Sequence, residues 1–377
     1  MTDLNAAPSP CYVLEVAKLR TNLELIDRVQ KASDCTIILA LKGFAMWSSF
    51  PIVREYLSGC SASSYNEARL AREHFGGHVH LYAPAYTDAE FPELIGLSDR
   101  ISFNSLSQWE RLGDQALGAG ISCGLRVNPR VDEVETALYN PSGEHSRLGI
   151  PREELLNGVP QGIQGLHVHA LCECGADATE RLIQAVEERF GHLLPQMKWC
   201  NLGGGHLMTR AGYDVEKLIR VLRGFRERHP HLEVVLEPGS AIAWRTGPLV
   251  SSVLDIIRRG GIDIAILDTS ATAHMPDVLE MPYRPEVRGA EQPGGKPHTY
   301  RLGGMTCLAG DIIGDYAFDQ PLRIGDRVIF EDMIHYTMVK TTMFNGIAHP
   351  AIALQHENGE IEVIRRFGYP DYESRLS

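Results

Sequence analysis

Cys35-Thr36-Ile37-Ile38-Leu39-Ala40-Leu41-Lys42-Gly43 is a short apolar run, rich in β-branched residues, that ends in a lysine and a glycine. That composition reads as a buried strand. A strand this apolar is covered on both faces, as in a parallel sheet wrapped by helices. The chain has seven lysines (18, 31, 42, 198, 217, 296 and 340), and Lys42 is the one at the carboxyl end of such a run. A lysine placed there loses hydration, which favours its neutral, nucleophilic form. The plain alternative is a strand-end lysine that snorkels to solvent. The residues further along decide between the two.

Outward from that stretch, strands and helices alternate. The pattern predicts strands at 36–41, 59–62, 79–82, 101–103, 121–127, 165–169, 198–202 and 233–237. Helical segments fall at 65–75, 107–117, 179–194 and 215–228, and a long loop at 128–149. Eight strands with intervening helices over roughly 200 residues is the count of a (β/α)8 barrel. After Ala241 the character changes. Strands at 248–258, 262–268, 298–302, 323–330 and 361–366 are joined by glycine- and proline-rich turns, and the segment 11–14 is expected to join them. The expected organisation is a barrel over 15–242 and an all-β sandwich or barrel domain made of 1–14 and 243–377.

Composition narrows the function. At 377 residues, two domains is the expected number, and 44% hydrophobic with 22% charged residues describes an ordinary soluble protein. A net charge of −12 argues against nucleic acid and anionic membranes as partners. No apolar run approaches membrane-spanning length, and the start lacks a signal-peptide pattern. The eight cysteines follow no framework spacing, which predicts reduced thiols in a cytoplasm.

Four polar features fall at the carboxyl ends of the predicted barrel strands, where this fold builds its sites. They are Lys42, His169, Gly203-Gly204-Gly205-His206 and Glu237-Pro238-Gly239. In Leu166-His167-Val168-His169 the two histidines share a face, because side chains alternate along a strand. With Cys172 and Cys174 the spacing is also that of a zinc site. The glycine run leaves N–H groups free for a phosphate oxygen, or makes a plain turn. A carboxylate that ends an apolar run, as Glu237 does, is paired or functional. Together the four describe a pyridoxal phosphate site: a lysine for the Schiff base, glycines for the phosphate, a histidine against the ring and a carboxylate on the ring nitrogen. A protonated pyridine is the stronger electron sink, so glutamate favours decarboxylation over racemisation.

Ala40-Leu41-Lys42, His167-Val168-His169, Gly203-Gly204-Gly205, Glu237-Pro238-Gly239, Gly303-Gly304-Met305-Thr306-Cys307-Leu308-Ala309-Gly310-Asp311 and His335-Tyr336-Thr337 resemble, in order, the motifs of the fold type III pyridoxal phosphate decarboxylases. Ornithine and diaminopimelate decarboxylases belong to that group. The resemblance implies an α/β fold, a TIM-type (β/α)8 barrel of the alanine racemase kind with a C-terminal all-β domain. It also implies pyridoxal 5′-phosphate as cofactor and a homodimer with the site at its interface. Two departures point to one branch. The stacking histidine is followed by Ala170-Leu171-Cys172-Glu173, and Ser240 stands where an arginine is common. The Cys307 motif and the stretch 338–346 are similar to the branch that decarboxylates carboxynorspermidine and carboxyspermidine in bacterial polyamine synthesis.

By motif position, the resemblance makes Lys42 the Schiff-base lysine, and His169 the group stacked on the ring. Gly204, Gly205, Gly239 and Tyr336 fall to the phosphate, Glu237 to the pyridinium and Cys307 to proton donation. Asp268, Asp311 and Glu173 are candidates for the cationic tail of the substrate, for which carboxylates suit. Glu67 is a further candidate for the cofactor pocket, or a helix-start residue. Three rivals remain: a diaminopimelate or other basic amino acid decarboxylase of the same fold, a metal-dependent barrel hydrolase using His167, His169 and a late aspartate such as Asp268, and a non-catalytic homologue that binds or regulates a polyamine enzyme, against which the retention of Lys42, Glu237 and Cys307 counts.

Overall fold

The computed structural model describes residues 4–133 and 140–377; residues 1–3 and 134–139, the latter inside the expected 128–149 loop, lie outside the described residues. The chain divides into two compact units, Asn22–Ile242 on the one hand and Met1–Thr21 with Ala243–Ser377 on the other. The chain opens with β1 (Cys11–Glu15) and α1 (Val16–Ser33). Then come β2 (Thr36–Ile37), β3 (Leu39–Ala40), α2 (Phe50–Val53), β4 (Gly59–Ala62), α3 (Tyr65–Leu70), β5 (His78–Tyr82), α4 (Phe91–Leu97), β6 (Arg100–Phe103) and α5 (Leu106–Gly118). These are followed by β7 (Ser122–Asn128), β8 (Ile150–Pro151), β9 (Ile163–Val168), α6 (Ala176–Phe190), β10 (Trp199–Asn201), α7 (Val215–Arg228) and β11 (Glu233–Leu236).

Every pairing among β2–β11 is parallel, in the order β2-β11-β10-β9-β7-β6-β5-β4-β3, with β8 beside β7. The quoted stretch is the seam. β2 pairs with the last strand and β3 with β4, so one short segment touches both ends of the sheet. Ile38 N–H donates to Leu236 O (2.9 Å) and Ala40 N–H to Pro238 O (3.1 Å), carrying the pairing along it. Setting β8 aside and counting β2 and β3 once, the ten strands make eight. That is the barrel the alternation predicts.

Local chemistry places the helices. Leu19, Leu23, Ile26 and Val29 of α1, three or four residues apart, are all fully buried. Ser64, Ser105 and Asp214 cap α3, α5 and α7, their side chains accepting from the N–H groups of Glu67, Gln108 and Lys217. The barrel interior is filled from β10. The Trp199 ring lies where a Cβ on Gly124 of β7 or Gly165 of β9 would sit, 2.3 and 2.0 Å from its atoms. Its Nε1–H donates to Ser122 Oγ (2.9 Å), Arg100 of β6 lies over its face at 5.5 Å, and His80 of β5 is 6.1 Å away. Arg100 in turn pairs with Glu233.

The second unit holds a mixed eight-stranded sheet. Its strands after β1 are β12 (Leu249–Arg259), β13 (Ile262–Leu267), β14 (His298–Gly303), β15 (Ile312–Phe318), β16 (Arg327–Phe330), β17 (Ala351–Gln355) and β18 (Ile361–Arg365). The order is β15-β14-β13-β12-β1-β17-β18, with β16 on β12. β1 does join this sheet, antiparallel to β12 and parallel to β17. Cys11, Val13, Val250, Ala351 and Ala353 form a core cluster with Leu4 and Ala7. β15, β17 and α4 go beyond the sequence expectation. Gly314 and Asp315 interrupt the alternation of β15, and Pro92 and Gly96 interrupt the helical period of α4. Residues 323–326 form a turn instead of strand, with Gly325 at φ 92°.

Two glycine substitutions test the packing. Gly165→Ala puts a methyl into the Trp199 ring and should cost about 1–3 kcal/mol, read from denaturant unfolding. Gly96→Ala, on α4 with nothing within 4 Å of the added Cβ, should instead stabilise, by about 1 kcal/mol or less.

Candidate active site

Because the strands are parallel, their carboxyl ends converge on one mouth. The turn after β3 delivers Lys42, β9 delivers His167 and the residue after it His169, β10 delivers Asn201, and the residue after β11 is Glu237. Lys42 Nζ lies 3.2 Å from His169 Nε2. His169 Nδ1 accepts the Gly204 N–H at 3.0 Å. An amide only donates, so Nδ1 carries a lone pair and the ring proton sits on Nε2. An ammonium has no lone pair to accept that proton. The contact is therefore Nε2–H donating to a neutral Lys42 amine. Electrostatics agrees. Burial is the main cause that lowers the Lys42 pKa, opposed by Glu237 and Glu67 and reinforced by Arg126. Burial is the main cause that holds His169 well below the usual histidine range, and the Arg126 guanidinium adds to it.

Glu237 is buried, and each of its oxygens has a partner. Its Oε1 faces His167 Nε2 at 3.1 Å, and its Oε2 accepts from Asn201 Nδ2 at 2.9 Å. Asn201 Oδ1 accepts the Gly203 N–H (2.8 Å), and Gly203 O accepts the Glu237 N–H (2.9 Å), closing a ring of bonds. Burial pushes the Glu237 pKa up, but the interaction with His167, a hydrogen bond among its parts, wins and holds it below the usual carboxylate range. His167 Nδ1 is buried without a partner, which suits a neutral ring protonated on Nε2. Burial lowers its pKa in the same sense.

The glycines are required by close approach. A Cβ on Gly204 would lie 2.7 Å from Glu237 O, and one on Gly205, at φ 87°, 2.2 Å from Leu171 O. Gly239 and Gly43 face each other, each with the other's Cα within 3.0 Å of where its Cβ would be. The mouth is lined there by backbone alone. Cys174 N–H donates to Gly205 O (2.8 Å), tying the 172–174 segment to the glycine run.

The sequence missed three side chains of this cluster. Arg126 on β7 is buried, lies over the Tyr82 ring at 4.4 Å and donates to His169 O at 3.1 Å. Tyr82 meets His167 edge-on at 5.1 Å, and Asn201 anchors Glu237. The available signal was a charged residue inside the apolar Leu125-Arg126-Val127. Glu67 sits at the start of α3, where its Oε2 accepts from Ser63 N–H (2.7 Å) and its own N–H donates to Ser64 Oγ (3.2 Å).

Of the remaining sequence candidates, four lie in the second unit and one in the barrel unit. Asp268, Cys307, Asp311 and Tyr336 belong to the second unit. Asp268 Oδ1 accepts from Ser251 Oγ and Ser252 N, both at 2.8 Å. Asp311 is buried and takes Ser270 Oγ (2.8 Å), Thr306 Oγ1 (2.6 Å), Thr306 N and Thr272 N. Both carboxylates thus organise their own loops. Cys307 is exposed, its N–H held by Asn345 Oδ1 at 2.8 Å, and Tyr336 takes a left-handed φ of 40°. Glu173 lies in the barrel unit, exposed, with φ 52° and its carbonyl held by Arg210 (3.2 Å). The zinc spacing is not assembled: Cys174 Sγ points to Cys172 O, and His169 is committed on both nitrogens. Among the described residues no group of three or more His, Cys, Asp and Glu is arranged to hold an ion.

A neutral lysine, a paired carboxylate and a glycine-lined mouth in a (β/α)8 barrel define a pyridoxal-dependent enzyme, and the chain belongs to the pyridoxal-dependent decarboxylases. Residues 11–334 match the family described as pyridoxal-dependent decarboxylase, C-terminal sheet domain. The carboxyaminopropylagmatine decarboxylase of Synechocystis sp. is 53% identical over 373 residues, 99% of this chain and 96% of that one. The carboxynorspermidine/carboxyspermidine decarboxylase of Campylobacter jejuni is 46% identical, over 97% of this chain and 98% of the relative. The crystal structure of carboxynorspermidine decarboxylase complexed with norspermidine, from Campylobacter jejuni, matches at a TM-score of 0.90 and 45% identity, covering 97% and 99% of the two chains. The family's cofactor is pyridoxal phosphate, and the donor set fits it: an unprotonated amine for its aldehyde, an anionic carboxylate for its ring nitrogen, and a cradle that any Cβ would fill.

The site's buried histidines carry a pH signature. His206, which follows the glycine run, is buried with Nδ1 on Thr179 Oγ1 (2.9 Å), and burial lowers its pKa from 6.5 to about 4. A histidine depressed on folding contributes stability above pH 6.5 that is lost as pH falls towards 4. His206→Gln should therefore reduce the loss of unfolding free energy between pH 6.5 and pH 5 by about 2 kcal/mol, measured by urea titration at both.

Proposed function

We propose that this chain removes the α-carboxylate of an amino acid whose side chain is a cationic polyamine arm, carboxynorspermidine or carboxyspermidine, giving norspermidine or spermidine. The observation that carries this reading is the neutral Lys42–His169 pair beside the anionic Glu237, in a chain 46% identical to a relative of that activity over nearly its whole length. A second substrate is favoured by the 53% identical relative: carboxyaminopropylagmatine, whose tail would be a guanidinium in place of an ammonium.

When bound, pyridoxal 5′-phosphate supplies the sink for the electron pair left as the Cα–carboxylate bond breaks. Lys42 would hold it through the free amine, with His169 against its ring. Glu237, kept ionised by His167 and Asn201, would hold a proton on the ring nitrogen. By motif position, Gly204, Gly205, Gly239 and Tyr336 would take the phosphate, with backbone amides carrying the part an arginine would play at Ser240. Cys307 would give the α-carbon its proton. Asp268 and Asp311 already accept several donors each, so the tail falls to Glu173, whose carboxylate is exposed. Met305, Leu308 and Ile312, close in sequence to Cys307, and Phe344, next to the Asn345 that holds the Cys307 N–H, are exposed apolar residues, which supports a homodimer in which Cys307 serves the partner's site. No described helix is long and apolar enough to cross a membrane; we place the enzyme in the cytoplasm.

The deciding experiment is carbon dioxide release from carboxynorspermidine, carboxyspermidine, carboxyaminopropylagmatine and diaminopimelate by the cofactor-loaded protein. Turnover of the polyamine substrates is expected and turnover of diaminopimelate alone would overturn the reading. Lys42→Ala should abolish release without altering the far-ultraviolet spectrum. Glu173→Gln should raise KM for the cationic substrates about ten- to hundredfold with kcat little changed, the worth of one hydrogen bond to a charged group, read from steady-state kinetics.

A further inference from the structure

Arg126 is a buried guanidinium that forms no ion pair with a carboxylate among the described residues. Its plane lies over the Tyr82 ring, and it donates to the carbonyl of His169, the residue whose ring faces Lys42. Tyr82 is itself fixed. Its hydroxyl donates to Asn104 Oδ1 (2.8 Å), which also accepts from Gly149 N–H (2.8 Å), and its ring packs on His167. A desolvated cation on an aromatic face is worth about 2 kcal/mol or more, enough to hold a side chain without a counter-ion.

We propose that Arg126 is a positioning residue, seated on Tyr82, that fixes His169 through its backbone carbonyl and so keeps the imidazole against Lys42. Its charge has a second effect. The groups facing Lys42 are His169, His167, the Glu237 and Glu67 carboxylates, the Cys172 thiol and Arg126. The two carboxylates favour an ammonium, and Arg126 is the permanent cation opposing them. Removing it leaves burial alone to oppose the two acids, and the amine takes its proton more readily.

This inference rests on the same site as the decarboxylase reading but needs no turnover. The probe is acetic anhydride on cofactor-free protein, with acetylation of Lys42 followed against pH by peptide mass spectrometry and the exposed Lys31 as internal standard. In the parent, Lys42 should react with a midpoint below that of Lys31. Arg126→Met should move the Lys42 midpoint up by about one unit, a tenfold slower reaction at neutral pH. Arg126→Lys, which keeps the charge, should restore most of it, whereas Arg100→Met, removing the guanidinium on Trp199, should leave it in place. If Arg126→Met does not fold, Arg126→Gln, which can still donate to the His169 carbonyl but carries no charge, should give the same upward shift. An unmoved midpoint in Arg126→Met, or an equal shift in Arg126→Lys or Arg100→Met, overturns the proposal. Loss of the titration effect with polyamine turnover intact removes this role of Arg126 alone; the converse removes the substrate assignment alone.

Discussion

An ionised carboxylate inside a barrel is costly unless its oxygens are met by donors. The whole mouth is arranged to meet those of Glu237. His167 takes one oxygen and Asn201 the other, and Asn201 spends its own carbonyl on the glycine run, whose Gly203 carbonyl returns to the Glu237 amide. Strands β9, β10 and β11 are thereby locked in register at their carboxyl ends by side chains as well as by the ladder. The anion so fixed sets the field in which Lys42 and the two histidines titrate.

Backbone amides do much of the remaining work. The Gly204 N–H decides which nitrogen of His169 is protonated, and through it the state of Lys42. That amide can reach His169 because Gly204 and its neighbours have no Cβ to keep the Glu237 and Leu171 carbonyls away. The seam between the first and last strands obeys the same rule, where Gly43 and Gly239 meet with no side chain between them. Closure of the sheet and construction of the site use one set of contacts.

Much of this was legible because strand ends are strong signals. The run to Lys42, the H-x-H of β9, the three glycines and Glu237 each combine a period with a punctuating residue, and the structure gathers all of them at one mouth. What stayed hidden lacked a period. Arg126, Tyr82 and Asn201 are single polar residues inside strands, and their importance comes from neighbours distant in sequence. Asp268 and Asp311 show the opposite difficulty: a carboxylate near a motif looks free until the hydroxyls and amides it accepts are seen. Strand β15 was obscured by Gly314 and Asp315, residues that a sheet-edge position tolerates but a pattern search penalises.

Trp199 gives the barrel a floor. Its ring touches residues of β5, β6 and β7 and occupies the space that glycines on β7 and β9 leave open, with the Arg100–Glu233 pair beyond it. The space beneath the mouth is thus taken by side chains, which leaves the carboxyl ends of the strands as the place where the chemistry is built.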